Sequence, residues 1–296
     1  MRGLPKIRSP LNQTPAPPLN NSNTVKFCLN RPHFQRRSSV LAGALAALVC
    51  ISCDGASKPQ GNVTPMVVTP VEGFEAGVVS ITGTVRLDGA PITPDKTVQV
   101  GGDAYCKAHG EIKSERWKVA ENGGLAEVVI AVINAPGTPV RGEQPEITQM
   151  NCVYLPHVSG IGAGQTVKIR NDDETAHNVR IVFHQMGTLN KGRNLQNYSQ
   201  HNQGTQHVER FVQPGVYRLE CDIHRWMRSW IYVHSNNHVA VSGADGAFAV
   251  DFSLVDGAYE VSAWHPQFRN PLVQNVEVVN GKADIQFTFD AAQAMR

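Results

Sequence analysis

From Val79 to Leu87 apolar and polar residues alternate, and Asp88-Gly89 follows. This is the pattern of a half-buried strand that ends in a tight turn. Leu125 to Ile133 is instead a nearly continuous apolar run, which predicts a buried strand. Further strands are expected over Thr166 to Asn171, Asn178 to Phe183, Val216 to Cys221, Ser229 to Val233, Ala247 to Val250, Ala258 to Ala263 and Ala283 to Phe289. Asp245-Gly246, Asp256-Gly257 and Asn280-Gly281 fall between them and tolerate the positive φ of turns. No long segment carries a helical period with caps at both ends, so the chain reads as all-β.

The first 30 residues show no hydrophobic period and are rich in Pro, Asn and Ser, the composition of a chain with little to bury. Arg36-Arg37 then precedes an apolar run, Val40 to Ile51, too short to cross a bilayer as a helix but suited to the core of a signal peptide. The run ends in Val49-Cys50-Ile51-Ser52-Cys53, which resembles the lipobox of bacterial lipoproteins with Cys50 in place of the usual Leu. That resemblance implies export and lipidation of Cys53; cleavage nearby or a retained anchor are the alternatives. Arg36-Arg37 before Val40-Leu41 also resembles a twin-arginine signal, although a basic flank explains it equally well. Residues 54–77, rich in Pro, Thr, Gly and Lys, read as a linker that lifts a domain from a membrane surface.

Charge changes its meaning once the leader is set aside. The full chain of 296 residues carries a formal charge of +2, but residues 1–52 hold seven Lys/Arg and no Asp/Glu, which leaves 20 basic and 25 acidic residues and a net charge of −5. A net-acidic mature chain without basic runs gives no support for nucleic-acid binding. Its 26 Gly and 18 Pro suit many short strands, and its length suits two domains.

The chemistry concentrates in Cys221-Asp222-Ile223-His224-Arg225-Trp226-Met227, a short loop between the strand ending at Glu220 and the next apolar strand. Within seven residues it offers a thiolate, an imidazole and a thioether, soft ligands that favour copper over hard cations. A second imidazole is needed from elsewhere, and His177 stands just before a strand, 44 residues earlier. Zinc is the nearest competitor, yet structural zinc prefers four Cys or His ligands and gains nothing from Met227. Met227 could instead be a core residue. His201 and His207 could form a second metal site, but solvated loop histidines are the favoured reading. The His-x-His clusters of multicopper oxidases and copper nitrite reductases are absent, so catalysis is not expected.

Asn171-Asp172, His177-Asn178-Val179 and Pro214-Gly215-Val216-Tyr217 leading into Cys221 resemble the signatures of cupredoxins over about 90 residues. Cys-x-x-His-x-x-Met resembles the short loop of amicyanin-like members, with Arg225 where Pro is common. The resemblance implies one type 1 copper held by His177, Cys221, His224 and Met227, with Asn178 tying the two ligand loops together and bonding the thiolate. It also places His224 on an exposed loop, its ring edge the electron port. Trp226, Met227 and Trp230 would form an apolar docking rim, although both Trp side chains could equally be core. Arg225 and Arg228 would favour an acidic partner. If a metal keeps Cys221 reduced in an oxidising compartment, Cys106 and Cys152 are the candidates for a disulfide; unpaired core cysteines are the alternative.

Ile81-Thr82-Gly83-Thr84-Val85 with Asp88-Gly89-Ala90-Pro91, then Ser242-Gly243-Ala244-Asp245-Gly246-Ala247-Phe248 and Asp256-Gly257-Ala258-Tyr259-Glu260-Val261, resemble parts of a carboxypeptidase regulatory-like, or transthyretin-like, β-sandwich. The expected organisation is a leader over 1–53, a linker over 54–77, and a Greek-key cupredoxin-like sandwich over 143–236. The latter is inserted in, or flanked by, a second small sandwich built from 78–142 and 237–291. These features describe an exported, lipid-anchored one-electron carrier of the periplasm or cell envelope, exchanging electrons with a redox protein such as a periplasmic cytochrome or dehydrogenase. A copper-delivery protein and a non-redox cell-envelope β-module are the alternatives.

Overall fold

The computed structural model describes residues 77–91, 96–136 and 144–295. The expected leader, the linker up to Ala76 and the lipidation candidate Cys53 lie outside the described residues. In chain order the elements are β1 (Gly77–Asp88), the helix α1 (Ala104–Ala108), β2 (Val129–Val132), β3 (Glu146–Met150), β4 (Val153–Leu155) and β5 (Val158–Gly162). Next come β6 (Gln165–Asn171), β7 (His177–His184), β8 (Gly192–Gln200), β9 (Gln206–Phe211), β10 (Gly215–Glu220) and β11 (Arg228–His234). β12 (Val239–Val241), β13 (Ala247–Leu254), β14 (Gly257–Trp264), β15 (Leu272–Val278) and β16 (Lys282–Asp290) complete an all-β chain. No helix among the described residues is long and apolar enough to cross a membrane.

The strands form four sheets, in the orders β13-β1-β16, β12-β2-β14-β15, β5-β11-β10-β7-β8 and β4-β3-β6-β9. Strands on either side of the central stretch share sheets, since β1 pairs antiparallel with β13 and parallel with β16. The two flanking sheets enclose one core, in which Ile81 and Val85 of β1 meet Ile130 and Val132 of β2, Val261 of β14 and Phe287 of β16. The two central sheets enclose another, built on Ile147, Tyr154, Val167, Ile169, Val179, Ile181, Leu219 and Ile231. Alternation along each strand accounts for both, because residues two apart share a face. The Asp245-Gly246 turn signal leads into β13 as expected, with Gly246 at φ 82°.

A third apolar layer explains why β2 is buried at every position. Ile130 and Val132 face the flanking core, whereas Val129 and Ala131 face Val158, Val216, Trp230 and Tyr232 on the outer side of the five-stranded central sheet, with Trp264 of β14 between them. A strand buried on both faces has no polar alternation. The strand is shorter than the apolar run from Leu125 to Ile133 implies, because Glu127 at φ 61° breaks the extended backbone. Trp230, 8% exposed, belongs to this layer and not to a docking rim.

Residues 98–112 lie within the stretch expected for the flanking sandwich, yet they pack on the central core. Cys106 and Ile112 are buried in it, with Val98, Val100 and Tyr105 against it. This segment reaches the end of the central sandwich where the candidate ligands meet.

Candidate metal centre

His177 opens β7, and the loop before it is held by buried Asn171. The Asn171 amide donates to the carbonyls of Thr175 (2.9 Å) and Gln200 (3.1 Å), and its Oδ1 accepts from the Asp173 backbone (2.9 Å). Cys221 follows β10 directly. Its backbone N–H donates to the Met227 carbonyl (3.3 Å) and the Met227 N–H donates to the His224 carbonyl (2.9 Å), so the seven-residue loop closes on itself. Asn178 bridges the two loops: its Oδ1 accepts from the amides of Asp222 (2.6 Å) and Ile223 (3.3 Å), and its Nδ2 donates to Asn197 (2.9 Å) and Asp222 (3.2 Å).

Three donors converge from these loops. Nδ1 of His177 and Nδ1 of His224 lie 2.9 Å apart, and each lies 3.9 Å from Cys221 Sγ. All three side chains are buried, and Cys221 is the free cysteine among the described residues. The backbone amides of Asn178 (3.5 Å) and His224 (3.4 Å) also point at the sulfur. Burial alone would raise the Cys221 thiol, but bonds to His177, to His224 and to those two amides outweigh it and lower the thiol to about 6.

The far side of each imidazole meets a carboxylate. His177 Nε2 lies 2.8 Å from Asp173 Oδ2, and His224 Nε2 lies 3.1 Å from Asp103 Oδ2. Burial would raise Asp173, yet its bonds to His177 and to the amides of Cys152 and Asn151 hold it below the usual carboxylate range. Burial likewise opposes the bonds from Cys106, Thr175 and His224 that bring Asp103 down to about 2. Ionised carboxylates only accept, so each Nε2 donates to its carboxylate, and each Nδ1 faces the other ring and the Cys221 sulfur, where it can offer a lone pair to a cation that displaces its proton. A cation placed among the three atoms would take up the thiolate charge and both imidazole electron pairs in this buried site.

The spacing fits that cation. A triangle with sides of 2.9, 3.9 and 3.9 Å has its centre about 2.1 Å from each corner, within the usual reach of metal–imidazole and metal–thiolate bonds. Two imidazoles and one thiolate are donors that suit copper, and Met227 on the same loop could add a thioether. The Met227 side chain is 1% exposed and belongs to the same buried cluster as Cys221.

A cap covers this centre, and it overturns one expectation. His224 is 2% exposed, so its ring edge is no open port. Asp103 caps α1 by accepting from the Cys106 amide (3.0 Å), and Cys106 Sγ lies 3.6 Å from His224 Nε2. Cys106 is joined to Cys152 by a disulfide. Asn151 and Cys152 have φ of 53° and 58° in the tight turn between β3 and β4, a conformation rare outside glycine. Asp173 accepts from both their amides, at 2.6 and 2.9 Å, and so holds that turn, the disulfide and His177 together. The Trp226 indole N–H donates to the Cys152 carbonyl (2.9 Å), with its ring centroid 5.1 Å from that of His224.

Sequence reasoning brought His177, Asn178, Cys221, His224 and Met227 to one place but missed Asp103 and Asp173. Asp173 stands four residues before His177, directly after the Asn171-Asp172 signature. Asp103 carried one signal, an N-cap residue three positions before a cysteine. His201 and His207 contribute to no donor cluster; every group of three or more metal-suited Cys, His and acidic side chains among the described residues lies at this centre.

No protein-family model matches the chain, and no curated protein matches it either. Among solved structures, it is similar to a purple cupredoxin from Nitrosopumilus maritimus, with 26% identity over 30% of this chain and 98% of that one, at a TM-score of 0.26. A reduced amicyanin mutant matches at 17% identity over 36% of this chain and 98% of that one, at a TM-score of 0.27. A copper-containing nitrite reductase from Thermus scotoductus matches at 19% identity over 35% of this chain and 25% of that one, at a TM-score of 0.26. These likenesses each span about a third of the chain, and the reading of the centre rests on its own geometry.

Proposed function

We propose that the chain is an exported type 1 copper protein that passes single electrons between redox proteins of the cell envelope, tethered through a lipid on Cys53. The observation that carries this reading is the convergence of two Nδ1 atoms and the Cys221 sulfur on one point in a buried, hydrogen-bonded frame. Copper would be held there by His177, Cys221, His224 and Met227, and would supply exchange between Cu(I) and Cu(II). The two loops are clamped by Asn178, and the two imidazoles by Asp173 and Asp103, so the donors need not rearrange when the charge changes. The flanking sandwich, built from β1, β2 and β12 to β16, serves as scaffold and spacer.

Burial beneath the disulfide-tied cap argues against a copper-delivery role, which needs the metal to leave readily. Voltammetry of the copper-loaded protein combined with a chelator challenge tests the choice. A reversible one-electron wave, with copper retained for hours against a chelator, is the expected result. Rapid loss of copper to the chelator without a reversible wave would transfer the reading to metal delivery.

A further inference from the structure

Capping of His224 leaves electrons without the route that an exposed imidazole edge would offer. Two residues further along the loop stands Trp226, half-buried, with its ring centroid 5.1 Å from that of His224. Trp226 lines a cleft of about 410 Å³, together with Trp230, His157, Arg218, Arg225 and Arg228. That volume lies near the lower end for ligand pockets and suits a few side chains.

The cleft is rich in cationic charge on a chain whose mature form is net acidic. Glu220 is shared by three guanidiniums: it pairs with Arg180, lies 2.7 Å from Arg218 Nε and lies 3.9 Å from Arg228 Nε. Asp222 also pairs with Arg180, at 3.1 Å, and of the three guanidiniums Arg218 and Arg228 line the cleft, with Glu220 as their shared carboxylate. Exposed Arg225 adds another cation on the ligand loop itself, and Glu115 is the acid among the lining residues. Guanidinium forks match carboxylates in a bidentate fashion, and the half-buried Trp226 indole adds apolar contact.

We propose that electrons enter and leave through Trp226, and that this cleft seats a carboxylate-bearing segment of the protein that exchanges them. The proposal rests on the redox reading of the metal centre for its electron route, while the docking half stands on the cleft alone. Two arms keep the failures apart. In the first, capped octaglutamate is titrated into the metal-free full chain while the Trp226 indole N–H resonance is followed, with Trp226→Leu fixing its assignment. A saturable shift, weakened about tenfold in Arg225→Glu and by added salt, is expected. In the second, the Cu(I) protein is oxidised by hexacyanoferrate(III), and Trp226→Leu should slow oxidation several-fold while the visible charge-transfer absorption stays intact. An indole signal indifferent to octaglutamate, or a Trp226→Leu protein as fast as the parent, overturns the proposal. Binding of redox-inert hexacyanocobaltate(III) without binding of octaglutamate overturns it in favour of a small anion. A parent protein with no thiolate-to-copper absorption sinks the redox reading itself, and the first arm still decides the docking surface.

Discussion

Asp103 Oδ2 sits 3.1 Å from His224 Nε2, so an acidic side chain more than a hundred residues away backs a candidate metal ligand. Asp173 does the same for His177 at 2.8 Å. A carboxylate on the distal nitrogen makes an imidazole a stronger donor and favours the more highly charged metal state. Asp103→Asn and Asp173→Asn should therefore each raise the reduction potential of the copper protein by tens of millivolts, the equivalent of roughly 1 kcal/mol. Spectroelectrochemical titration reads the shift; unchanged or lower potentials would show that the carboxylates only hold the cap.

Asn178 is buried and makes three polar bonds of 2.6 to 3.3 Å to the Cys221–Met227 loop and a fourth, of 2.9 Å, to Asn197 of β8. Asn178→Ala leaves the amides of Asp222 and Ile223 without that acceptor and should cost about 2–3 kcal/mol of unfolding free energy. Denaturant unfolding of the metal-free chain measures it. A cost below about 0.5 kcal/mol, the range of ordinary surface substitutions, would mean that the loops are held by other contacts.

The Cys106–Cys152 disulfide closes a loop over a sequence separation of 46 residues and ties α1 over His224. Replacing both cysteines by serine should destabilise the protein by about 3–4 kcal/mol on chain-entropy grounds. It should also speed copper loss to a chelator, because the cap is released. Thermal unfolding and chelator kinetics are separate readouts. Lower stability with unchanged copper retention would mean that the cap does not guard the metal.

His265 is 2% exposed, its ring stacked on Trp117 at 5.3 Å between centroids. Burial is the largest influence on it and drives its pKa down from 6.5 to about 3, while nearby Glu127 pulls it up and His157 pushes it down. The folded state thus keeps the ring neutral where the unfolded chain would protonate it. Its contribution is complete above about pH 6.5 and is lost as the pH falls towards 3, a cost that can reach a few kcal/mol. Stability measured from pH 7 down to pH 4 should fall less steeply in His265→Phe than in the parent. Parallel profiles would refute the assignment to this ring.

Much of the candidate site was legible because its elements are local. Cys221, His224 and Met227 lie within one loop, and His177-Asn178 stands at the start of an apolar strand. Strands with strong alternation, such as β1 and β10, were visible for the same reason. β8 was not, because Gly192–Gln200 is polar and exposed along nearly its whole length and owes its extended form to pairing with β7. Tertiary context, not pattern, makes that strand. α1 has five residues, too few for a helical period to show. The cap was missed because it is non-local: Asp103 reaches His224 only through packing of residues 98–112 and the disulfide to Cys152.

The visible absorption spectrum of protein lacking residues 1–53, recorded after addition of Cu(II) beside its Cys221→Ala variant, tests the central claim most directly. Intense thiolate-to-copper charge-transfer absorption in the parent and its loss in the variant is the predicted result. A parent that stays colourless, or a variant that keeps the absorption, would contradict a type 1 copper centre at His177, Cys221 and His224.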